Sequence, residues 1–275
     1  GGRRPNILFI MSDDHAYQAI SAYNGGLNST PNIDRLASGG VRFEQSFCTN
    51  SICAPSRAVL LTGKYSHENS VINNRQEFDG SQVTFPKLLQ QAGYETAMIG
   101  KWHLKSDPTG FDYWHILPGQ GSYYNPDFIE MGKRKRIEGY VTDLITDIGI
   151  DWLRDRNVAP GRAGAENKDS AKPFCMLLHH KAPHRNWKPA LRHLDLYRDE
   201  NFPVPENYFD DYETRSRAAK EQEMEIDDHM SMTYDLKYVE EDGWDSRGGQ
   251  RMGRRMNDEQ RAAWRPTGRG SRGPG

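Results

Sequence analysis

The chain has 275 residues, of which 36% are apolar, and it carries a formal net charge of −2, so it can form one large domain or two small ones. Without an excess of positive charge, there is no indication of a nucleic-acid-binding protein. Its three cysteines are too few for a disulfide framework, and no apolar run is long enough to span a membrane.

The first predicted element is the short apolar run from Ile7 to Met11. Its continuous apolar character predicts a strand buried on both faces, as in a sheet covered by helices. The pair Asp13-Asp14 follows, at the carboxyl end of the strand, which is where open α/β sheets bind ligands. These two carboxylates are therefore candidate ligands, and the alternative is a polar turn that caps the next element.

A helix and a strand are predicted next. Thr30 is typical of a helix cap, Pro31 of a first helical residue and Gly39 of a helix end, so this segment predicts a short helix. The segment from Val41 to Phe47 alternates apolar and polar residues, which predicts a strand.

The stretch from Ser51 to Gly63 predicts a helix with a cysteine at its start. Pro55 suits the first turn, where its missing N–H costs nothing, and Gly63 suits the position just past the end. Cys53 would then lie at the helix N-terminus, where free N–H groups and the helix dipole favour an anion. The alternative is that Cys53 is a small buried apolar residue.

Two further buried strands are predicted later in the chain. The run Tyr94–Ile99 leads into Gly100-Lys101-Trp102-His103, and the run Pro173–Leu178 leads into the cluster 179–184, which contains three histidines and a lysine. Helices are predicted over 84–93 and 140–156, and an exposed loop over 157–172. The alternation of strands and helices predicts an α/β fold with a largely parallel sheet.

Three apolar strands thus lead into polar clusters. Because parallel strands place their carboxyl ends at one edge of a sheet, we expect the three clusters to meet there. With Cys53 at a helix N-terminus nearby, the sequence predicts one shared site.

The last third of the chain is more polar. A surface-exposed helix is predicted over 215–229, and the segment 245–275, with eight arginines and many glycines, is predicted to be disordered. An RNA-binding tail is the alternative. We therefore expect a catalytic domain over 4–210, a polar segment over 211–244 and a tail over 245–275.

The residue types in the clusters indicate a chemistry. Asp13 and Asp14 offer oxygen ligands and, without His or Cys at metal-binding spacing nearby, they suit Ca²⁺ or Mg²⁺ better than Zn²⁺. Fixed cations suit a tetrahedral oxyanion, and histidines move protons near neutral pH. A metal, cations, a nucleophile and an acid together indicate transfer of a sulfuryl or phosphoryl group. The candidate cations are Arg57 and Lys101, and the candidate histidines are His103 and His184.

Four motifs resemble those of the sulfatase family: Pro-Asn-Ile-Leu-Phe-Ile-Met-Ser-Asp-Asp, Cys-Ala-Pro-Ser-Arg, Gly-Lys-Trp-His and Ala-Pro-His. The resemblance extends from Arg4 to about Glu206. It implies an alkaline-phosphatase-like α/β fold, with a central, largely parallel sheet flanked by helices. It also implies a bound Ca²⁺, with Mg²⁺ as the alternative, and a formylglycine made from Cys53 by a maturation enzyme.

The resemblance also implies roles for individual residues. Asp13, Asp14 and the modified Cys53 would bind the metal. The hydrated aldehyde at Cys53 would attack sulfur with one hydroxyl and later expel sulfate with the other. Arg57 and Lys101 would hold the formylglycine and the sulfate. His103 would orient the nucleophile or help expel sulfate. His184 would bind sulfate and protonate the leaving alcohol.

A finer resemblance concerns the segments 63–67, 71–74, 106–112 and 118–124, which are similar to the N-acetylglucosamine-6-sulfatase branch. It implies a 6-O-sulfated glucosamine or N-acetylglucosamine unit of a glycosaminoglycan or mucin glycan as substrate. Asn73 and Asn74 would then contact the substrate, and the alternative is that they form a turn. Such enzymes are periplasmic, secreted or lysosomal, although no signal peptide is visible here.

One feature departs from the family. Sulfatases complete the metal site with an Asp-Asn or Asp-Gln pair on a later strand, and none follows His184 here. We therefore expect an incomplete C-terminal part and poor turnover by this chain. The alternatives are a phosphate or phosphonate ester hydrolase of the same superfamily, which more commonly carries Thr or Ser in place of Cys53, and an inactive remnant that binds sulfated glycans.

Overall fold

The structure is a computed structural model that describes residues 4–23, 25–156, 172–232, 234–235 and 253–265. The chain divides into two compact units, one ending at Arg185 and the other starting at Asn186. No helix among the described residues has the length and apolar character needed to cross a membrane. The loop predicted over 157–172 lies almost entirely outside these residues.

The first unit is built on one six-stranded sheet with the order β1-β6-β2-β3-β4-β5. The four strands β1, β6, β2 and β3 run parallel, and β4 and β5 form an antiparallel extension. This confirms the predicted α/β fold with a largely parallel sheet. The strands are β1 (Ile7–Asp13), β2 (Glu95–Lys101), β3 (Tyr113–Leu117), β4 (Asp127–Glu130), β5 (Lys133–Arg136) and β6 (Phe174–Pro183).

Helices accompany this sheet in the order that the sequence predicts. The helix α5 packs against β6 and β2, with Val141, Ile145 and Trp152 buried. The helices of the first unit are α1 (Pro31–Gly39), α2 (Cys53–Thr62), α3 (Ser66–Asn69), α4 (Phe85–Gln91) and α5 (Val141–Arg154), and 3₁₀ turns span Tyr17–Ala19 and Ser21–Tyr23.

The core lies around the central strands β2 and β6, whose apolar residues are buried on both faces as predicted. Met98 and Leu177 belong to one buried cluster together with Ala58 of α2, so the helix that carries Cys53 is anchored directly in the core. Gly100 lets β2 and β6 approach at the end that carries the site. Its φ is +100°, and a Cβ there would lie 2.0 Å from the carbonyl oxygen of His179.

The prediction that β1 is buried on both faces is wrong. Leu8 and Ile10 are 47% and 53% exposed, whereas Ile7 and Phe9 pack against the core. The strand β1 lies at the edge of the sheet, and no described element covers its face that carries Leu8 and Ile10. An apolar run alone does not report how many layers cover a strand.

The strand predicted over 41–47 is also not observed: this segment bends at Glu44 and Gln45 and pairs with no described strand. Val41 and Phe43 are exposed. Alternation of apolar and polar residues is a local signal, whereas a strand needs a neighbour for its backbone hydrogen bonds.

The second unit contains short elements. Where one helix is predicted over 215–229, two separate turns of helix form instead. Within the segment 245–275, residues 253–265 include a helix that Asn257 caps by accepting a hydrogen bond from the backbone of Gln260. The predicted domain boundaries at 210 and 244 stay predictions. The elements are a 3₁₀ turn (Leu191–His193), α6 (Arg217–Lys220), α7 (Ile226–His229) and α8 (Asp258–Trp264).

Candidate active site

The three polar clusters meet at the carboxyl ends of β1, β6 and β2, which are neighbours in the sheet. The strand register pairs His179 of β6 with Met11 of β1 on one side and with Gly100 of β2 on the other. The polar residues belong to the ends of the strands themselves, because β1 includes Asp13 and β2 includes Lys101. Asp13 and Lys101 thus lie at the same edge of the sheet, and their side chains are in contact there.

Helix α2 brings Cys53 to this edge as its first residue. Pro55 lies in the first turn, and Gly63 ends the helix in the left-handed conformation with a φ of 66°. The backbone N–H of Ala54 donates to Oδ1 of Asn74 at 3.0 Å. An amide side chain therefore satisfies one of the free N–H groups of the helix and fixes the start of α2.

The Cys53 thiol faces two histidines. Its Sγ lies 3.6 Å from Nε2 of His184. Burial alone would raise the pKa of Cys53, but hydrogen bonds with His103 and His184 and the charge of Lys101 outweigh it and lower this pKa to about 5. The side chain is thus an anion at neutral pH, as expected for a reactive rather than a structural cysteine.

Arg57 is buried one helical turn beyond Cys53, and its position is fixed by several groups. Its Nη1 donates to the carbonyl oxygen of Lys101 and to Nδ1 of His179, the latter at 3.1 Å. Its Nη2 lies 3.7 Å from Oδ1 of Asp13. Burial and the positive charge of Arg57 lower the pKa of His179 well below its usual value, so His179 is neutral and accepts the hydrogen bond.

Lys101 and Asp13 form a buried ion pair through Nζ and Oδ2. The Asp13 carboxylate therefore faces two cations, Lys101 and Arg57, in a site with little solvent. Two buried cations therefore lie beside the Asp13 carboxylate and the Cys53 thiolate.

Asp14 and His184 complete the edge. Asp14 adopts the left-handed conformation with a φ of 60°, and its Oδ2 lies 3.5 Å from Nε2 of His184. The other ring nitrogen of His184, Nδ1, lies 2.6 Å from the carbonyl oxygen of Arg185. The hydroxyl of Tyr123 donates to the backbone carbonyl of His184 itself. His184 is therefore held from two sides.

The segment of Asn73 and Asn74 forms a tight turn beside α2. The backbone N–H of Arg75 donates to Oδ1 of Asn73 at 2.7 Å, and Asn74 accepts from Ala54 as described above. A turn is one of the two readings that the sequence leaves open. A contact with substrate stays a prediction for both residues.

Two histidines in the site carry buried ring nitrogens that have no hydrogen-bond partner within the described part of the chain, namely Nδ1 of His103 and Nε2 of His179. The sequence places His179 in the polar cluster but gives it no role. Its contact with Arg57 depends on which residues of β6 face α2, and this follows from the strand register, which the sequence alone does not reveal.

The site also contains groups that bind metals. Asp13 and Asp14 provide the hard oxygens that Ca²⁺ prefers, although two carboxylates are only part of the 6–8 oxygen ligands it takes. The donor set thus fits calcium in kind. Asp13, Cys53 and His184 have ligand atoms within 4.8 Å of one another, and they are the group of this kind found among the described residues.

The sequence is similar to a known protein family and to named proteins. Residues 5–255 match the family model described as Sulfatase. An N-acetylglucosamine-6-O-sulfatase of Bacteroides thetaiotaomicron is 54% identical over 240 residues, which are 86% of this chain and 41% of that protein. The human N-acetylglucosamine-6-sulfatase is 29% identical over 234 residues, which are 76% of this chain and 39% of that protein.

Two solved structures are also similar to this chain. A structure described as a complex with its substrate D-glucosamine-2-N,6-O-disulfate matches with a TM-score of 0.84 and 50% identity, over 95% of this chain and 52% of that one. A structure described as a complex of Ps i-CgsB with k-i-k-neocarrahexaose, 22% identical with a TM-score of 0.64 over 75% of this chain and 51% of that one, shows the same fold. The chain thus spans about two-fifths to half of the length of these relatives.

Proposed function

Because the chain belongs to the sulfatase family, we propose that the protein is a sulfuric ester hydrolase that removes the 6-O-sulfate of glucosamine or N-acetylglucosamine units in sulfated glycans. The substrate is inferred from the relatives named as N-acetylglucosamine-6-O-sulfatase and from the solved complex with a glucosamine 6-O-sulfate. The observation that carries the proposal is the placement of Cys53 at the start of α2, facing His184 and beside the buried cations Arg57 and Lys101.

The cations define where the sulfate binds. Arg57 and Lys101 are fixed by Asp13, and Arg57 also by His179. A sulfate group carries a single negative charge spread over its oxygens, and preorganised donors stabilise that charge as it grows in the transition state. Because Arg57 and Lys101 are themselves buried, these contacts are stronger than they would be in solvent.

His184 supplies the proton that the leaving alcohol needs. In the structure its Nδ1–H donates to the carbonyl of Arg185, which leaves Nε2 directed toward Cys53 and Asp14. A histidine held in this way protonates the sugar oxygen from Nε2 when the ring is an imidazolium.

A metal ion and a covalent modification of Cys53 complete the proposal. Asp13 and Asp14 would hold Ca²⁺, which supplies a Lewis acid that neutralises charge on the sulfate oxygens. A maturation enzyme would oxidise Cys53 to formylglycine, whose hydrate supplies a better nucleophile than a thiol. Since sulfated glycans lie outside the cytoplasm, we propose a periplasmic, secreted or lysosomal location, which cell fractionation would test.

The modification is tested directly by mass spectrometry of the peptide that contains Cys53, after co-expression with a formylglycine-generating enzyme. We expect conversion at Cys53, while Cys48 and Cys175 remain thiols. Only unmodified Cys53 after co-expression would contradict this part of the proposal.

The activity is tested by sulfate release from 6-O-sulfated N-acetylglucosamine, on this chain and on the longest product of its gene. We expect Lys101→Ala and His184→Ala to lower kcat/KM by about 10²- to 10³-fold, as for the loss of one preorganised contact. Lys105→Ala is the matched control, because Lys105 is exposed and donates to the carbonyl of Arg75 instead. Equal activity of Lys101→Ala and Lys105→Ala would refute the assigned sulfate site.

A further inference from the structure

Three donor atoms from three separate elements meet beside α2: a carboxylate oxygen of Asp13 from β1, Sγ of Cys53 and Nε2 of His184. Sequence alone favours Ca²⁺ for Asp13 and Asp14, because no Cys or His lies at metal-binding spacing near them in the chain. The fold brings one cysteine, Cys53, and one histidine, His184, close to Asp13. We propose that, as long as Cys53 is an unmodified thiol, Asp13, Cys53 and His184 form a Zn²⁺ site.

The distances already suit zinc. With Zn–S of about 2.3 Å and Zn–N of about 2.0 to 2.1 Å, a sulfur and a nitrogen on one tetrahedral zinc lie about 3.6 Å apart. The observed separation of Sγ of Cys53 and Nε2 of His184 is 3.6 Å. The two side chains therefore need no rearrangement to share an ion.

The orientation of His184 also suits a metal. A carbonyl oxygen only accepts hydrogen bonds, so the contact of 2.6 Å to the carbonyl of Arg185 requires that Nδ1 carries a proton. In the neutral ring Nε2 then has a free lone pair, and it faces Cys53. Zinc-binding histidines usually donate their second ring N–H to a backbone carbonyl or a carboxylate in the same way.

The remaining ligands are available on the same edge. Asp13 hydrogen-bonds to Lys101, but a carboxylate offers about four lone-pair positions, so it can hold both an ammonium group and a metal. Oδ2 of Asp14 lies 3.5 Å from Nε2 of His184 and is a candidate for a fourth ligand. Three protein ligands and an open or weak fourth position are typical of an accessible zinc site.

The identity of the ion follows from the sulfur. Thiolate and imidazole ligands select Zn²⁺, whereas Ca²⁺ binds oxygen. Replacement of the Cys53 sulfur by an oxygen function would remove the soft ligand and leave Asp13 and Asp14 for a hard cation. Zinc binding would therefore distinguish the unconverted chain from the converted one; this last step alone rests on the proposed function.

The first test uses the unaltered chain, expressed without a maturation enzyme and freed of metal by a chelator. Isothermal titration with Zn²⁺ is expected to show one bound ion per chain. Alkylation by iodoacetamide, followed by peptide mass spectrometry, should then slow at least tenfold at Cys53 when one equivalent of Zn²⁺ is present. Cys48, an exposed thiol in the same chain, serves as the internal control and should react at an unchanged rate.

Variants provide the second test. Cys53→Ser and His184→Gln are expected to weaken Zn²⁺ binding at least 100-fold, and Cys48→Ser to leave it unchanged, with circular dichroism confirming that each variant is folded. The proposal is overturned if the unaltered chain binds no Zn²⁺, if Zn²⁺ protects Cys48 as well as Cys53, or if Cys53→Ser binds as tightly as the unaltered chain. These tests do not measure sulfate release. If the proposed sulfatase activity failed, the Zn²⁺-binding result could still be interpreted.

Discussion

At the level of single residues, the site depends on groups whose protonation is fixed by their neighbours. Cys53 is ionised because His103, His184 and Lys101 outweigh the effect of burial on its pKa. His179 is neutral because burial and Arg57 together lower its pKa. The site thus contains an anionic Cys53 and a neutral His179, and Arg57 depends on the neutral His179 as a hydrogen-bond acceptor.

This dependence leads to a prediction for His179. In His179→Leu, Arg57 loses a buried hydrogen bond of a charged donor, worth about 1.5 to 3 kcal/mol. We therefore expect kcat/KM for a sulfate ester to fall about 10- to 100-fold. His179→Asn places an amide oxygen near the position of Nδ1 and should recover most of the loss, although Asn and Leu are similar in size.

The matched pair separates positioning from packing. If His179 only filled space, His179→Leu would be the milder change, because it keeps an apolar volume beside Phe9, which contacts the His179 ring edge-on. A pH profile of kcat/KM with the same shape for the unaltered protein and His179→Asn would agree with a neutral His179. Higher activity of His179→Leu than of His179→Asn would contradict the assignment.

At the level of elements, the site needs β2 and β6 to run close together where they carry Lys101 and His179. Gly100 makes this possible, since a Cβ would lie 2.0 Å from the His179 carbonyl oxygen and the φ of +100° is unfavourable for other residues. We expect Gly100→Ala to lower the free energy of unfolding by more than about 3 kcal/mol, as strain and a backbone clash combine. Urea unfolding measures the change.

Gly63→Ala is the control for this prediction. Gly63 has a φ of +66° but open space around its Cβ position, so only the backbone conformation is penalised. The expected loss is about 1 to 2 kcal/mol. Similar losses for the two variants would show that the approach of β2 to β6 is not what Gly100 provides.

The elements also show how far the sequence predicts this fold. Continuous apolar runs correctly predict β2 and β6, because central strands are buried on both faces and their pattern needs no further context. The hairpin of β4 and β5 is missed, since β5 consists of exposed lysines and arginines without apolar alternation. The segment 41–47 has the alternation but no partner strand among the described residues. Whether a strand finds a partner depends on the tertiary structure, and the alternation of apolar and polar residues does not predict it.

The same distinction applies to the site. That the three clusters and Cys53 meet follows from strand direction and could be predicted. Which side chain of β6 faces Arg57 depends on the register and pleat of the strand. The role of His179 could therefore not be predicted from the sequence. Conversely, the spacing of Asp13, Cys53 and His184 in the chain gives no indication of the donor group that they form in space.

At the level of the whole molecule, the open face of β1 is the most exposed apolar part of the sheet. Leu8 and Ile10 project from this face, and β1 pairs only with β6 among the described strands. The chain spans 41% of its bacterial relative. Poor turnover by the 275-residue chain stays a prediction, and the sulfate-release assay above tests it.

An unpaired strand edge is a template for association with another chain, and an exposed apolar face beside it adds a surface that association would bury. We therefore expect the 275-residue chain to self-associate at micromolar concentration and the double variant Leu8→Thr/Ile10→Thr to do so much less. Threonine keeps the preference for β-structure, so the strand itself should persist while its face becomes polar. Light scattering coupled to size-exclusion chromatography gives the mass distribution of each form.

The control replaces an exposed apolar residue elsewhere. Leu36 of α1 is exposed and lies on a helix, which presents no unpaired backbone edge, so Leu36→Thr should leave self-association unchanged. If both variants reduce association equally, general surface hydrophobicity is the cause rather than the apolar face of β1. If neither does, or if the unaltered chain is monomeric at high concentration, the exposed face of β1 does not govern the behaviour of the molecule in solution.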